Sequence, residues 1–290
     1  MVRLLHRTDG DGWVTCACGH RHWGRFGAAG LLLIAADGAA LLQQRAEWSH
    51  HGGTWGVPGG ARSSAEPATA AALREAEEEA AVRPNDVTLS HTWVDDHQTW
   101  SYTTVVGHVP YRVPARPSDP ESKDIRWVPV DKVTDLPLHP GFAAAWSHLH
   151  AHAPRRLVLL VDVANVMGSR PDGWWHDRLG AATRLRDQIA GAARDGLPAG
   201  ALGLPGAAWW PEVHLVVEGQ ARRLPPATGV EVHAAERDGD QLLTELAAAQ
   251  VAERPDDHII AVTADRELRG RLQNAGAAVV GPSAVLDALP

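Results

Sequence analysis

The stretch Gly59–Val82, GGARSSAEPATAAALREAEEEAAV, limits what this chain can become more than any other part of it. Pro67 suits the first turn of a helix, where its missing N–H costs nothing, and the Ala, Leu and Glu residues after it have high helix propensity. On that helix Glu75, Glu78 and Glu79 fall at i, i+3 and i+4 and share one face, while Leu73, Ala76 and Ala80 share the opposite one. The spacing predicts a helix that packs on one side and carries three carboxylates on the other. Like charges at this spacing repel one another by roughly a few tenths of a kcal/mol per pair. A hard divalent cation such as Mg²⁺ or Mn²⁺, which prefers oxygen ligands, removes that penalty. Plain solvation also produces acidic helix faces, and the run EAEEE alone does not separate the two.

The spacing upstream does. Gly60 is followed by five residues and Glu66, then by seven residues and Arg74-Glu75, then by Ala76, Glu77 and Glu78-Glu79. This resembles the Nudix box, whose pattern is Gly, five residues, Glu, seven residues, Arg-Glu, an apolar residue, any residue, Glu-Glu, any residue, Gly, an apolar residue. Every position matches but one, Ala81 standing where the pattern has Gly. The resemblance implies an α/β/α sandwich with a mixed sheet that cleaves a diphosphate linkage in a nucleotide-like substrate with Mg²⁺ or Mn²⁺. It implies Glu75, Glu78 and Glu79 as metal ligands, the Gly60 carbonyl as an extra ligand, and Arg74 as the group that orients carboxylates. The general base is expected at Glu78, with Glu121 behind it. Ala81 puts the loop after the helix in question rather than the ligands.

The flanking chain is compatible with such a unit. Gly30–Ala36 and Ala39–Arg45 are apolar runs joined by Asp37-Gly38, a tight-turn signal, and are expected to form a hairpin. Between it and the helix lies WSHHGGTWGVPGG, in which Trp48 and Trp55 are candidates for stacking a base, although twelve tryptophans in the chain make core packing the default. Val87–Val94 and Trp100–His108 read as a second hairpin. Glu121 and Asp124 precede the short strand Ile125–Val130, where similar Nudix chains often have an acidic site residue, and the sequence does not choose between them. Leu136–Trp146 reads as a closing helix. The start of the chain carries Cys16, Cys18, His20 and His22 in CACGHRHW; alternate-residue spacing along a strand suits an edge segment better than one tetrahedral zinc site, which stays the second possibility.

Length and charge bound the rest. The 290 residues suit two domains, and a net charge of −8 argues against a generally basic nucleic-acid coat. The two cysteines lie within the first 18 residues and leave no disulfide framework, which together with the lack of a long apolar run leads to the expectation of a cytoplasmic protein without a membrane span. We expect an N-terminal extension over 1–24, a Nudix domain over 25–152 and a second domain over 155–290.

From Arg156 onward apolar strands alternate with helices, starting with the continuous run LVLLVDV at 157–163, as expected of a mainly parallel three-layer α/β domain. Gly196–Pro211 reads as a long loop. Ligands of an open parallel sheet sit at the carboxyl ends of its strands, and acidic residues occur there: Asp162 with Asn165, Asp238 and Asp240 at a helix start, and Asp265 after a strand. The set resembles the PIN/NYN-like metal-dependent ribonucleases, which implies a metal-held carboxylate cluster acting on RNA. A helix N-cap explains Asp238 or Asp265 equally well, but is expected to explain Asp162 poorly, since a charge ending an apolar strand needs a partner. Three functions stay open: a hydrolase of nucleoside triphosphates, including oxidised ones; a two-enzyme chain that trims a nucleotide or RNA end and cuts RNA; and a Nudix enzyme carrying a non-catalytic module that binds RNA or protein.

Overall fold

A computed structural model of the chain describes residues 8–17, 19–170 and 173–289 and divides it into two units, Met1–Pro154 and Arg155–Pro290. In the first unit the apolar run after Phe26 forms β3 (Ala28–Ala35), which follows a small hairpin of β1 (Trp13–Thr15) and β2 (Arg21–Trp23). A turn at Gly38, with φ 80°, leads to the antiparallel β4 (Ala39–Arg45). β5 (Trp55–Gly56) and β6 (Gly59–Ala61) bring the chain to α1 (Ala68–Ala80). β7 (Thr88–Asp96), β8 (Ser101–Val109), β9 (Ser122–Pro129) and α2 (Pro140–His152) complete the unit.

Its sheet is mixed: β8 pairs parallel with β3 and antiparallel with β7, while β4 pairs antiparallel with β3, β5 and β9, and β6 with β3. Alternation along β3 decides the layering. Ala29, Leu31, Leu33 and Ala35 pack with Ala71, Ala72, Ala76 and Ala80 of α1, whereas Leu32 and Ile34 pack with Phe142, Trp146 and Leu149 of α2. Both faces of this strand are therefore covered, as a run with no polar residue requires. The closing helix starts at Pro140 behind an N-cap at His139, later than the sequence suggests, and runs on through His148 and His150 to His152.

The second unit is built on β10 (Leu157–Asp162), followed by α3 (Val163–Gly168) and α4 (Arg178–Asp195). Here 196–211 is not a plain loop: β11 (Leu197–Pro198) and β12 (Ala208–Trp209) pair antiparallel, and fully buried Trp209 donates its indole N–H to the Pro205 carbonyl at 2.7 Å. Then come β13 (Glu212–Val217), β14 (Val230–Ala234), α5 (Gly239–Glu253), β15 (His258–Val262), α6 (Arg266–Asn274), β16 (Ala278–Val280) and α7 (Ser283–Leu286). The sheet order is β14-β13-β10-β15-β16, and every pairing in it is parallel. Leu157, Leu159 and Val161 of β10 pack toward α3 and α4, and Val158 and Leu160 toward α5 and α6. The chain steps outward from β10 to β14 and then crosses to β15, so the topological switch lies at the carboxyl end of β10. No helix among the described residues is long and apolar enough to cross a membrane.

At the opposite end of β13, Glu212 contacts His214 Nε2 at 3.2 Å and Arg254 Nη1 at 2.6 Å. His214 first, then Arg254, lower its pKa to about 2. A depressed carboxylate stabilises the fold above its unfolded value and loses that contribution as pH falls through the folded one. Glu212→Gln is therefore expected to make the thermal midpoint less pH-sensitive between about 4.5 and 2, and to lower it at pH 7, where the carboxylate's contribution is fully present, by an amount that its partial exposure keeps modest. Calorimetry across that range checks it.

Candidate active site

Helix α1 begins without a side-chain cap after Pro67 and ends at Ala81, whose φ of 57° and ψ of 29° lie in the left-handed region. Its N–H reaches the Glu77 carbonyl and that of Val82 reaches the Ala76 carbonyl, which closes the helix. Alanine holds this conformation at a cost of about 1 kcal/mol that glycine escapes. Ala81→Gly is thus expected to raise stability by about 1 kcal/mol, read as a higher urea midpoint. An unchanged or lower midpoint overturns that account.

The carboxylate face of α1 turns toward the protein. Glu79 is only 4% exposed, whereas the period of the helix leads one to expect it on an open face. The reason is that α1 lies against β3 and β6, so that the acidic face meets the Gly59-Gly60 segment. The Gly59 N–H donates to Glu79 Oε2 at 2.8 Å. Gly60 backs onto Glu75: a Cβ on Gly60 would stand 2.6 Å from the Glu75 Cδ.

Arg74 braces the group. Its Nε donates to Glu66 Oε1 at 2.9 Å and its Nη2 to Glu66 Oε2 at 3.1 Å, a two-pronged pairing. Its Nη1 donates to Glu75 Oε1 at 2.6 Å and lies 3.7 Å from Glu78 Oε2, while Nη2 also reaches the Ala61 carbonyl at 3.0 Å. Glu66, hydrogen-bonded by Arg74 and by the Ser63 N–H, is held below the usual carboxylate range.

Burial moves the other acids upward. It pushes Glu75 to about 7 against the pull of Arg74. It pushes Glu79 well above its ordinary value, with the charges of Glu75 and Asp119 adding to the effect. Glu121 is raised by burial and by Asp119. Of the two acids expected before the strand, Glu121 immediately precedes β9 and its charge bears on Glu75, whereas Asp124 lies within β9, which starts earlier than the sequence suggests, and pairs with Arg126 at 2.6 Å. Glu78, with a side chain 40% exposed, is the most open of the three helix carboxylates.

Such a set of crowded, desolvated carboxylates beside a glycine fits a divalent cation. Among the described residues, the groups of three donor atoms within 4.8 Å of one another all contain histidine and lie outside α1. Two further residues belong to this site without any signal in the sequence: Asp119, which caps a turn through the Glu121 and Ser122 N–H groups, and Tyr102, whose hydroxyl lies under Gly30 and Gly59.

The two tryptophans part company. Trp55 is 3% exposed, packs beside α2 and has the Arg126 guanidinium 5.1 Å from its ring centroid, so of its two readings the core position holds and the stacking one does not. Trp48 is 67% exposed and keeps an open ring.

This architecture has known counterparts. Residues 24–149 match the NUDIX domain. Over 157 residues the chain is 53% identical to a Mycobacterium tuberculosis protein described as "Putative 8-oxo-dGTP diphosphatase 3", covering 49% of this chain and 70% of that one. The chain belongs to the Nudix family. Its N-terminal unit is a Nudix hydrolase. It is also 42% identical over 161 residues to a Bifidobacterium longum nucleoside triphosphate pyrophosphatase/Nudix hydrolase fusion protein, covering 52% of this chain and 33% of that one. A crystal structure of a Nudix hydrolase from M. smegmatis shares 47% identity over 48% of this chain and 92% of its own, with a TM-score of 0.45.

Outside the Nudix unit, Asp162, Asn165, Asp240 and Asp265 line one cleft of about 470 Å³ at the switch point, together with Glu218, which the sequence did not single out. Asp238 is not among the lining residues; it caps α5 through the Asp240 and Gln241 N–H groups. Asp265 caps α6 through Leu268 N–H. The expectation that capping explains Asp162 poorly is overturned: its Oδ1 accepts the Asn165 N–H at 3.0 Å as the cap of α3, and its Oδ2 accepts the Thr263 hydroxyl at 3.0 Å. Burial raises both Asp162 and Asp240.

Proposed function

We propose that the N-terminal unit hydrolyses a diphosphate linkage of a nucleoside triphosphate, with an oxidised purine deoxynucleotide of the 8-oxo-dGTP kind as its foremost substrate. The carrying observation is the brace of Arg74 between Glu66 and Glu75, which holds the acidic face of α1 against Gly59-Gly60. The substrate class is supported by the name of the 53% identical relative. Glu75, Glu78, Glu79 and the Gly60 carbonyl would hold Mg²⁺ or Mn²⁺. When bound, the ion neutralises phosphate oxygens and lowers the pKa of a coordinated water. Arg74 keeps Glu75 oriented by charge-assisted hydrogen bonds. Glu78, the most open of the three carboxylates Glu75, Glu78 and Glu79, takes the proton of the attacking water, with Glu121 as the alternative base. Trp48 offers its exposed ring to a purine.

The test is pyrophosphate and phosphate release from a panel of ordinary and oxidised nucleoside triphosphates, ADP-ribose, dinucleoside polyphosphates and NAD with Mg²⁺. Preference for the oxidised purine triphosphate supports the reading. Turnover confined to another class, or to none of these small nucleotides, sinks it, and the latter result would favour an RNA end.

A second reading concerns residues 155–290, and the acid-lined cleft at the switch of a parallel sheet favours it. It is a PIN/NYN-like domain in which Asp162, Asp240 and Asp265, with Asn165 alongside, would bind a divalent cation and act on RNA. Asp162→Asn and Asp265→Asn are expected to abolish metal-dependent cleavage of a single-stranded RNA. RNA binding without cleavage by the wild-type chain would leave a non-catalytic module instead.

A further inference from the structure

Cys16, His22 and His97 offer one ligand atom each within 4.8 Å of one another, although 81 residues separate the first from the last. Two hairpins bring them together. The β1–β2 hairpin turns at Gly19, with φ 85°, where the Cys16 N–H meets the His20 carbonyl at 2.9 Å. That reversal removes the strand-like spacing that set these residues far apart in the sequence. The turn between β7 and β8 supplies His97 and clasps the first hairpin: Cys16 Sγ lies 3.1 Å from the His97 carbonyl, the Ala17 N–H donates to Thr99 Oγ1 at 3.2 Å, and the Trp100 indole N–H donates to the Gly24 carbonyl at 3.0 Å. Cys18 lies outside the described residues.

The surroundings are those of a metal ligand set. Cys16 is buried, and His22 stacks on Trp100 with ring centroids 4.1 Å apart, which fixes its ring plane. His97 Nε2 contacts Asp95 Oδ2 at 3.2 Å. A carboxylate on one ring nitrogen sets the tautomer and makes the other nitrogen the better donor, the arrangement that metal-binding histidines show. One thiolate and two imidazoles select zinc over the hard cation proposed for α1.

We propose that Cys16, His22 and His97 form a zinc site, oriented by Asp95, that clamps the N-terminal hairpin to the β7–β8 turn. Three protein donors leave the fourth tetrahedral position to water or to another donor of the hairpin.

The full chain, purified without chelator and dialysed, is expected to carry about one zinc per molecule by elemental mass spectrometry. Cys16→Ser and His97→Ala are expected to lose it, and Asp95→Asn to weaken zinc affinity by about 10- to 100-fold against a chromogenic chelator. Exchange for Co²⁺ should give a thiolate-to-cobalt charge-transfer band. If Cys16→Ser fails to fold, that band in the wild-type chain still decides, and its absence overturns the proposal. So does a folded Cys16→Ser protein that keeps its zinc, because the metal would then sit at the other imidazole cluster of the unit, His50, His51 and His139. A wild-type chain that takes up no zinc also overturns it.

Discussion

Glu79→Gln is expected to lower nucleotide hydrolysis by about 10³-fold or more, the equivalent of several kcal/mol of transition-state stabilisation, while leaving the fold intact. Glutamine keeps the volume of the side chain and an oxygen that can accept the Gly59 N–H, so the 4% exposed site loses neither packing nor that hydrogen bond. What goes is the negative charge. Burial already holds this carboxyl well above its ordinary pKa, so in the absence of a cation the amide resembles the neutral form that the fold prefers. The proposed cation is what makes the charged form tolerable and useful. The thermal midpoint without Mg²⁺ should therefore match that of the wild type, while the rise on adding Mg²⁺ should shrink. Parallel activity and melting measurements check both. Near-normal turnover removes Glu79 from the site, and a collapsed midpoint without metal means that its role is structural.

Helix α1 and its acidic face were legible from propensity and period, and the β3–β4 hairpin from Asp37-Gly38 between two apolar runs. The parallel sheet of the second unit followed from unbroken apolar runs such as LVLLV, because only a strand covered on both faces has no polar side. Depth was not legible. A helical wheel groups Glu79 with Glu75 and Glu78, yet cannot say that this face meets Gly59 rather than water. Trp55 was ambiguous for the same reason, since an indole in a glycine-rich segment suits a core and a binding platform alike. Asp162 was misjudged because its partner Thr263 comes from a neighbouring strand end 101 residues on. Asp119 and His97 were missed because each reaches its cluster through a turn and not through a periodic element.

Adjacent glycines should fail in different ways. Gly60→Ala is expected to cost activity, about 10²-fold, with little loss of stability. Its new Cβ meets the Glu75 carboxyl carbon and Oε1 at 2.6 Å and Oε2 at 2.7 Å, all at the end of a side chain that can swing aside. Swinging breaks the 2.6 Å bond to Arg74 Nη1 and shifts a proposed ligand by about 1 Å, a displacement of the size that costs about two orders of magnitude in rate. Gly59→Ala instead drives its Cβ to 2.6 Å from the Ala29 carbonyl oxygen and from the Gly30 Cα, both backbone atoms of β3 that cannot step aside. The β3–β6 pairing has to open, and overpacking of this kind costs about 1–3 kcal/mol. Neither glycine has a positive φ, so both effects come from space and not from backbone strain. Urea midpoints and turnover for the two variants separate the mechanisms: Gly60→Ala should keep its midpoint and lose rate, and Gly59→Ala should lose its midpoint. If Gly60→Ala keeps full activity, Glu75 does not need the position it holds against Arg74, and its role as a ligand falls with it.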